Sequence, residues 1–193
     1  NQEAFEIFHP SSILFIKSIM RSEGFKDYNI KKSLSNLKVI SGRRNIIYTK
    51  NKGTYIIDYA HTSQSYIDIF KDFQTKKSIT TLFGCGGDRD KNKRKIIGKI
   101  VDKHSTHIFI TEDNSRTEGF ISIANDILEG INNKSKYIIE KSRKRALKRL
   151  FNQSKGNDVN FILGKGSENY IIKGKKKIKH NDTNYLMEMI KKI

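Results

Sequence analysis

The chain has 193 residues, 36% hydrophobic and 10% aromatic, which supports a packed domain plus an appendage and excludes global disorder. Its net charge of +18 first suggests nucleic acid or an anionic surface. The excess is spread along a chain rich in Lys, Ile and Asn with a single proline, as AT-biased coding produces, and its aromatics are not interleaved with basic residues, so nucleic acid is not the expected partner.

In chain order, the apolar spacing predicts a helix over Ser11–Arg21 and a second over Ile30–Leu37, together an all-helical appendage. Ser41-Gly42 breaks that pattern. Strands are then expected at Asn45–Thr49 and Thr54–Tyr59, a helix at Ser63–Phe73 and a strand at Ser78–Phe83. Next come a helix at Lys93–Lys103, a strand at Thr106–Thr111, a helix at Thr117–Glu129 and a short strand at Lys136–Glu140. A helix Ser142–Gln153 capped by Ser142, a strand Asp158–Leu163, a basic hairpin near Tyr170–Ile178 and a closing helix Asp182–Lys192 complete the series. Such alternation implies an α/β, Rossmann-like fold, a mainly parallel sheet flanked by helices, with the helical appendage at the N-terminus.

One cysteine, Cys85, excludes an internal disulfide and suits a reducing, cytoplasmic setting. His9, His61, His104, His107 and His180 lack metal-ligand spacing, so no metal site is expected in the chain. No apolar run reaches the roughly 18 residues of a membrane span, and no leader is visible. The first residue is Asn, so a piece of a longer chain is expected.

In a parallel sheet, ligands collect outside the carboxyl ends of the strands. Four predicted strands are followed there by Asp58-Tyr59-Ala60-His61-Thr62, Gly84-Cys85-Gly86-Gly87-Asp88-Arg89-Asp90-Lys91, Glu112-Asp113-Asn114-Ser115-Arg116 and Gly164-Lys165-Gly166-Ser167-Glu168. A charged run is commonly a solvated loop, but four such runs on one rim indicate a site. No G-x-x-x-x-G-K-[ST] phosphate loop, complete G-x-G-x-x-G or nucleophile elbow occurs.

These stretches, with Lys93-Arg94 and the entry Gly42-Arg43, resemble the C-terminal domain of the Mur ligases, in particular members that add the third residue of the peptidoglycan stem peptide. The resemblance covers residues 41–193, and residues 1–40 look like the closing helices of that family's central ATPase domain. It implies an ATP-dependent ligase that activates the carboxylate of a UDP-linked muramoyl-dipeptide as an acyl phosphate for attack by an amino acid's amine. Partners would be that UDP-muramoyl-dipeptide, ATP with Mg2+ (bound mostly outside this chain), meso-diaminopimelate, and the N-terminal and central ligase domains. By the motif match, Arg89, Asp113, Asn114, Ser115, Arg116, Gly164 and Glu168 would hold diaminopimelate, and Arg43, Asp58 and His61 would lie on the ATP side. No catalytic residue is carried over, and alone the chain is expected to be inactive.

Diaminopimelate ends in a carboxylate and an ammonium, whereas lysine ends in the ammonium alone. Selecting the former needs a guanidinium, Arg116 or Arg89, and an acceptor for the ammonium, Glu168 or the Gly164 carbonyl. A buried Arg left unpaired by lysine would cost about 3–5 kcal/mol, or roughly 10²- to 10³-fold discrimination. The bland role for Arg116 is a structural salt bridge. Ser115 stands where the motif has proline, and Ser167 where it usually has His. Those departures and the charge leave two alternatives: a degenerate or basic binding module on the same fold, or a lysine-adding ligase.

Overall fold

The computed structural model describes residues 10–36, 42–73 and 78–193. Two helices, α1 (Pro10–Ser22) and α2 (Asp27–Ser35), come first. The second begins earlier than expected, and Leu37, like His9, Ser41 and the junction near residue 40, lies outside the described residues. Ile13, Ile30 and Leu34 are buried between these helices with Met20 beside them, a core separate from the two that follow.

The remainder is a six-stranded sheet in the order β1-β2-β6-β3-β4-β5. Its strands are β1 (Asn45–Thr49), β2 (Gly53–Asp58), β3 (Ile79–Phe83), β4 (His107–Ile110), β5 (Tyr137–Ile139) and β6 (Val159–Leu163). Edge strand β1 runs antiparallel to β2, and every other pairing is parallel. The central strands are buried at nearly every position because both faces of the sheet are covered. Helices α3 (Ser63–Lys71), α4 (Asn92–His104) and α5 (Phe120–Leu128) supply one core with Ile56, Phe83, Ile110 and Phe161. Helices α6 (Arg143–Gln153) and α7 (Asp182–Ile190) supply the other with Tyr55, Ile57, Leu82, Phe109 and Ile162. Neighbouring residues of β2, Ile56 and Ile57, thus serve opposite faces, as the two-residue period of a strand requires.

Local chemistry sets the boundaries. Thr62 and Ser65 form a reciprocal capping box at the start of α3. The hydroxyl oxygen of Ser142 accepts from the Arg145 N–H at 3.3 Å, as the cap expectation required. Helix α5 starts three residues later than expected because Thr117 and Glu118 are engaged elsewhere: both the N–H and the hydroxyl of Thr117 donate to Asp88. A two-stranded ribbon, β7 (Tyr170–Lys173) and β8 (Lys176–Lys179), lies apart from the main sheet.

One ion pair ties α7 to the rim. Arg143, fully buried, donates through Nε and Nη2 to the equally buried Asp182 at 2.8–3.1 Å, and through Nη2 to the Leu163 carbonyl at 2.9 Å. His180 Nε2 lies 2.7 Å from the same carboxylate. Burial alone would raise the Asp182 carboxyl, but the Arg143 guanidinium holds it well below the usual carboxylate range.

Candidate functional site

The four strands whose carboxyl ends drew attention, β2, β6, β3 and β4, are consecutive neighbours, so their loops form one continuous rim. The loops after β3 and β4 run backbone against backbone. A Cβ on Gly84 would overlap the Thr111 carbonyl, and one on Gly87 the Ser115 carbonyl, while the Gly87 N–H donates to Asn114 O at 2.8 Å. Glycine is needed here for close approach. The buried Arg94 locks this junction: Nη2 donates to Gly86 O and Glu118 at 2.9 Å, and Nη1 to Glu118 at 2.9 Å and Asp126 at 2.7 Å. Glu118 in turn accepts from the Asp88 N–H at 2.6 Å. The Arg94 guanidinium is the main reason the Glu118 carboxyl sits at about 2, against 4.5 for the free side chain.

A folded-state value below the unfolded one means that the stabilisation is complete above pH about 4.5 and is lost as pH falls toward about 2. Urea titrations across that window should show a pH slope shallower by up to about one proton in Glu118→Gln than in the unaltered chain. Equal slopes would show that the pair does not stabilise the loop.

On the other side, the entry segment meets the loop after β6. A Cβ on Gly42 would overlap Gly166 and the Ser167 nitrogen, and one on Gly166 would lie 2.7 Å from Tyr59 Cβ. Gly42 and Gly166 both have positive φ, 71° and 49°. Asp58, expected on the ATP side, is occupied by the backbone: Oδ2 accepts from the Arg44 N–H at 2.7 Å and Oδ1 from the Ala60 N–H at 2.8 Å. It shapes the turn. Arg43 stacks on the Tyr59 ring at 4.6 Å, and His61 meets the same ring edge-on at 4.0 Å. Burial lowers the His61 pKa, which favours the neutral imidazole.

Between these two corners lies a charged cluster. Lys165 is fully buried. Its ammonium contacts Glu168 Oε2, donates to Asn114 Oδ1 at 2.9 Å and lies 3.4 Å from Asp113 Oδ1. Asn114 Nδ2 donates to Glu168 Oε2 at 3.0 Å, and Asn114 Oδ1 also accepts from the Ile172 N–H at 2.8 Å. Both the oxygen and the nitrogen of the Asn114 amide are thus bonded within the protein. Ser115 is likewise buried and engaged: its hydroxyl donates to Glu112 at 3.1 Å and its N–H to Asp113 O at 3.0 Å. Those bonds fix the turn that the motif's proline would otherwise set, and a proline would lack that N–H. Among the described residues Asp113 Oδ2 is buried without a partner, and a Cβ on Gly164 would lie 2.9 Å from it.

Arg116 occupies the left-handed region, φ 52°, and is clamped there by the ribbon. Its N–H donates to Ile172 O at 3.1 Å and its carbonyl accepts from the Gly174 N–H at 2.7 Å, while Lys173 pairs with Glu112. Its Nη1 donates to the carbonyls of Gly87 at 2.8 Å and Asn114 at 3.3 Å. Among the described residues no carboxylate pairs with Arg116 or Arg89, which replaces the structural salt bridge considered for Arg116 with a guanidinium aimed by backbone carbonyls. A side chain at Gly86 would meet Arg116 Nη1 at 3.0 Å and Arg89 Cγ at 3.8 Å, so the bare glycine leaves room for both arginines. Arg116 is half-buried and Arg89 exposed, which weakens the discrimination expected for a buried arginine.

Lys165 and Arg94 were not among the expected site residues, and both are central to it. Arg94 carried a signal, for it falls in register with the buried Ile97, Gly98 and Val101 on one face of α4. Lys165 carried none beyond its place between two glycines. Cys85 is buried, which pushes its thiol up to about 12 and makes it inert. Among the described residues no group of three or more His, Cys, Asp or Glu is placed to hold a metal ion, and no helix is long and apolar enough to cross a membrane.

The family model described as Mur ligase, glutamate ligase domain, matches residues 42–166. The UDP-N-acetylmuramoyl-L-alanyl-D-glutamate–2,6-diaminopimelate ligase of Wigglesworthia glossinidia brevipalpis is 36% identical over 184 residues, 94% of this chain and 37% of that protein. The ligase of the same name from Helicobacter pylori strain J99 is 43% identical over 139 residues, 72% of this chain and 30% of that protein. A solved structure of a ligase with that name superposes with a TM-score of 0.73 at 27% identity, covering 89% of this chain and 36% of the other. The chain spans about a third of the length of these relatives.

Proposed function

The chain belongs to the Mur ligase family, and from that premise we propose that it forms the C-terminal, amino-acid-binding part of an ATP-dependent ligase adding meso-diaminopimelate to UDP-N-acetylmuramoyl-L-alanyl-D-glutamate. The observation that carries this reading is the segregation of charge on one rim. Arg116 and Arg89, without carboxylate partners among the described residues, flank the bare Gly86 on one side. Asp113 and Glu168 hold two carboxylates against the single cation Lys165 on the other, an acid cluster one positive charge short. An amino-acid end group, carboxylate and ammonium on one carbon, complements both. Arg116 and Arg89 take the distal carboxylate; Glu168, with the Gly164 carbonyl and Asp113, takes the distal ammonium. Asn114 and Ser115 hold these groups in place.

Bound ATP supplies the phosphoryl group that activates the acceptor carboxylate, with Mg2+ on its phosphates. The corner formed by Arg43, Tyr59 and His61 offers a cation and two aromatic rings to that nucleotide, and Asp58 sets the corner's shape. The metal's ligands fall to the rest of the enzyme, the N-terminal and central domains. The exposed Leu14, Phe15, Ile16 and Ile19 of α1 suit a helix that closes such a central domain, whose last segment would be residues 1–40.

Calorimetric titration of this chain should show diaminopimelate binding at least about 10-fold more tightly than lysine. Equal affinities, or tighter lysine, would sink the assignment.

A further inference from the structure

We propose that Lys165 is a positioning residue that builds the receptor for the substrate's distal ammonium. This rests on the reading of the rim as an amino-acid pocket. An ammonium has three hydrogens and no lone pair. Lys165 donates to Glu168 Oε2 and Asn114 Oδ1, its third side lies 3.4 Å from Asp113 Oδ1, and it has no exposed surface with which to touch a ligand. What it leaves unused is informative. It engages one oxygen of each carboxylate, so that Glu168 Oε1 has no partner among the described residues and Asp113 Oδ2 is buried without one.

A buried lysine between two carboxylates would be neutralised by one of them; the second is in excess. Holding a surplus carboxylate away from water is costly unless another cation arrives. The Tyr170 ring, 5.5 Å from the Lys165 ammonium, closes another side and contributes no hydrogen-bonding charge. Lys165, with the Asn114 N–H that donates to Asp113 Oδ1 at 2.6 Å and the Asn114 Nδ2 that donates to Glu168 Oε2 at 3.0 Å, fixes which oxygens face the ligand, and its single charge leaves the site open to one more cation. The same count separates its effect from that of the arginines, which act on the carboxylate of the ligand.

Three ligands divide these effects: diaminopimelate, 2-aminopimelate, which lacks the distal ammonium, and lysine, which lacks the distal carboxylate. Titrated into the unaltered chain, diaminopimelate should bind about 10- to 100-fold more tightly than 2-aminopimelate. In Lys165→Met that preference should collapse to about threefold or less, while the preference for diaminopimelate over lysine persists. In Lys165→Ala, propylammonium added to fill the vacated site should restore the preference over 2-aminopimelate. An unchanged or increased preference in Lys165→Met overturns the proposal. So does loss of both preferences together, a folded Lys165→Ala protein that propylammonium does not restore, or loss of cooperative unfolding in both variants, which would make Lys165 a fold residue only. If the unaltered chain itself fails to bind diaminopimelate, the amino-acid reading of the rim fails, and that is seen before any variant is made.

Discussion

Arg143→Met is expected to remove about 3–5 kcal/mol of folding stability, read as a large drop in the urea midpoint with little change in slope. The loss follows from what remains behind. Asp182 has no exposure, and without the guanidinium its carboxylate keeps, among the described residues, only His180 as a side-chain partner. Methionine fills much the same space, so packing accounts for little of the change. Removing both charges should therefore recover most of it: Arg143→Met/Asp182→Leu should lie well above the single variant, because replacing a buried pair with apolar residues is often neutral. A single variant within about 1 kcal/mol of the unaltered chain would show that the pair is idle. The position gives the effect a functional edge, since the Leu163 carbonyl that Arg143 holds immediately precedes Gly164 and Lys165.

Arg116→Ala should cut the preference for diaminopimelate over lysine by about 10- to 100-fold while changing lysine affinity by no more than about threefold. The range is smaller than the 10²- to 10³-fold that a fully buried, unpaired arginine would produce. Arg116 is half-buried and keeps two carbonyl acceptors whichever ligand is bound, so lysine does not leave it destitute. What is lost is a charge-assisted hydrogen bond worth about 1.5–3 kcal/mol. Calorimetry with both ligands separates this from misfolding, which would weaken lysine equally. An unchanged preference in Arg116→Ala would move the carboxylate to Arg89 and sink the role assigned to Arg116.

The order of strands and helices was legible because both signals are local. Apolar runs such as Ile79–Phe83 mark strands covered on both faces, and Gly84, Gly86 and Gly87 mark a loop pressed against its neighbour. The rim was legible for the same reason, as one short motif after each of four strands. What escaped was the division of labour within each motif. Asp58, Asn114 and Ser115 look like ligands in a sequence, and their side chains are also bonded within the protein, to Arg44 and Ala60, to Glu168, Lys165 and Ile172, and to Glu112. Those partners lie up to 58 residues away, beyond any spacing argument. Arg94 and Arg143 were hidden differently. Each sits in a basic helix that reads as a solvated face, but each stands at the head of an apolar stripe, Ile97-Gly98-Val101 and Ala146-Leu147-Leu150. A lone arginine in phase with a buried face is the signal that was available, and it asks for a carboxylate elsewhere in the chain.

Strand β8 has β7 on one side and, among the described residues, no strand on the other. All four of its residues are exposed. Its outer edge is therefore a row of open N–H and C=O groups onto which a further extended chain could add. Lys176, Lys177 and Lys179, with Lys175 at the turn, line the ribbon with like charge and no acidic residue among them. A second copy approaching edge to edge would bring the same lysines and be repelled. Part of the charge that first suggested nucleic acid thus insulates an open ribbon against self-pairing, and leaves that ribbon free to hold Arg116 in place.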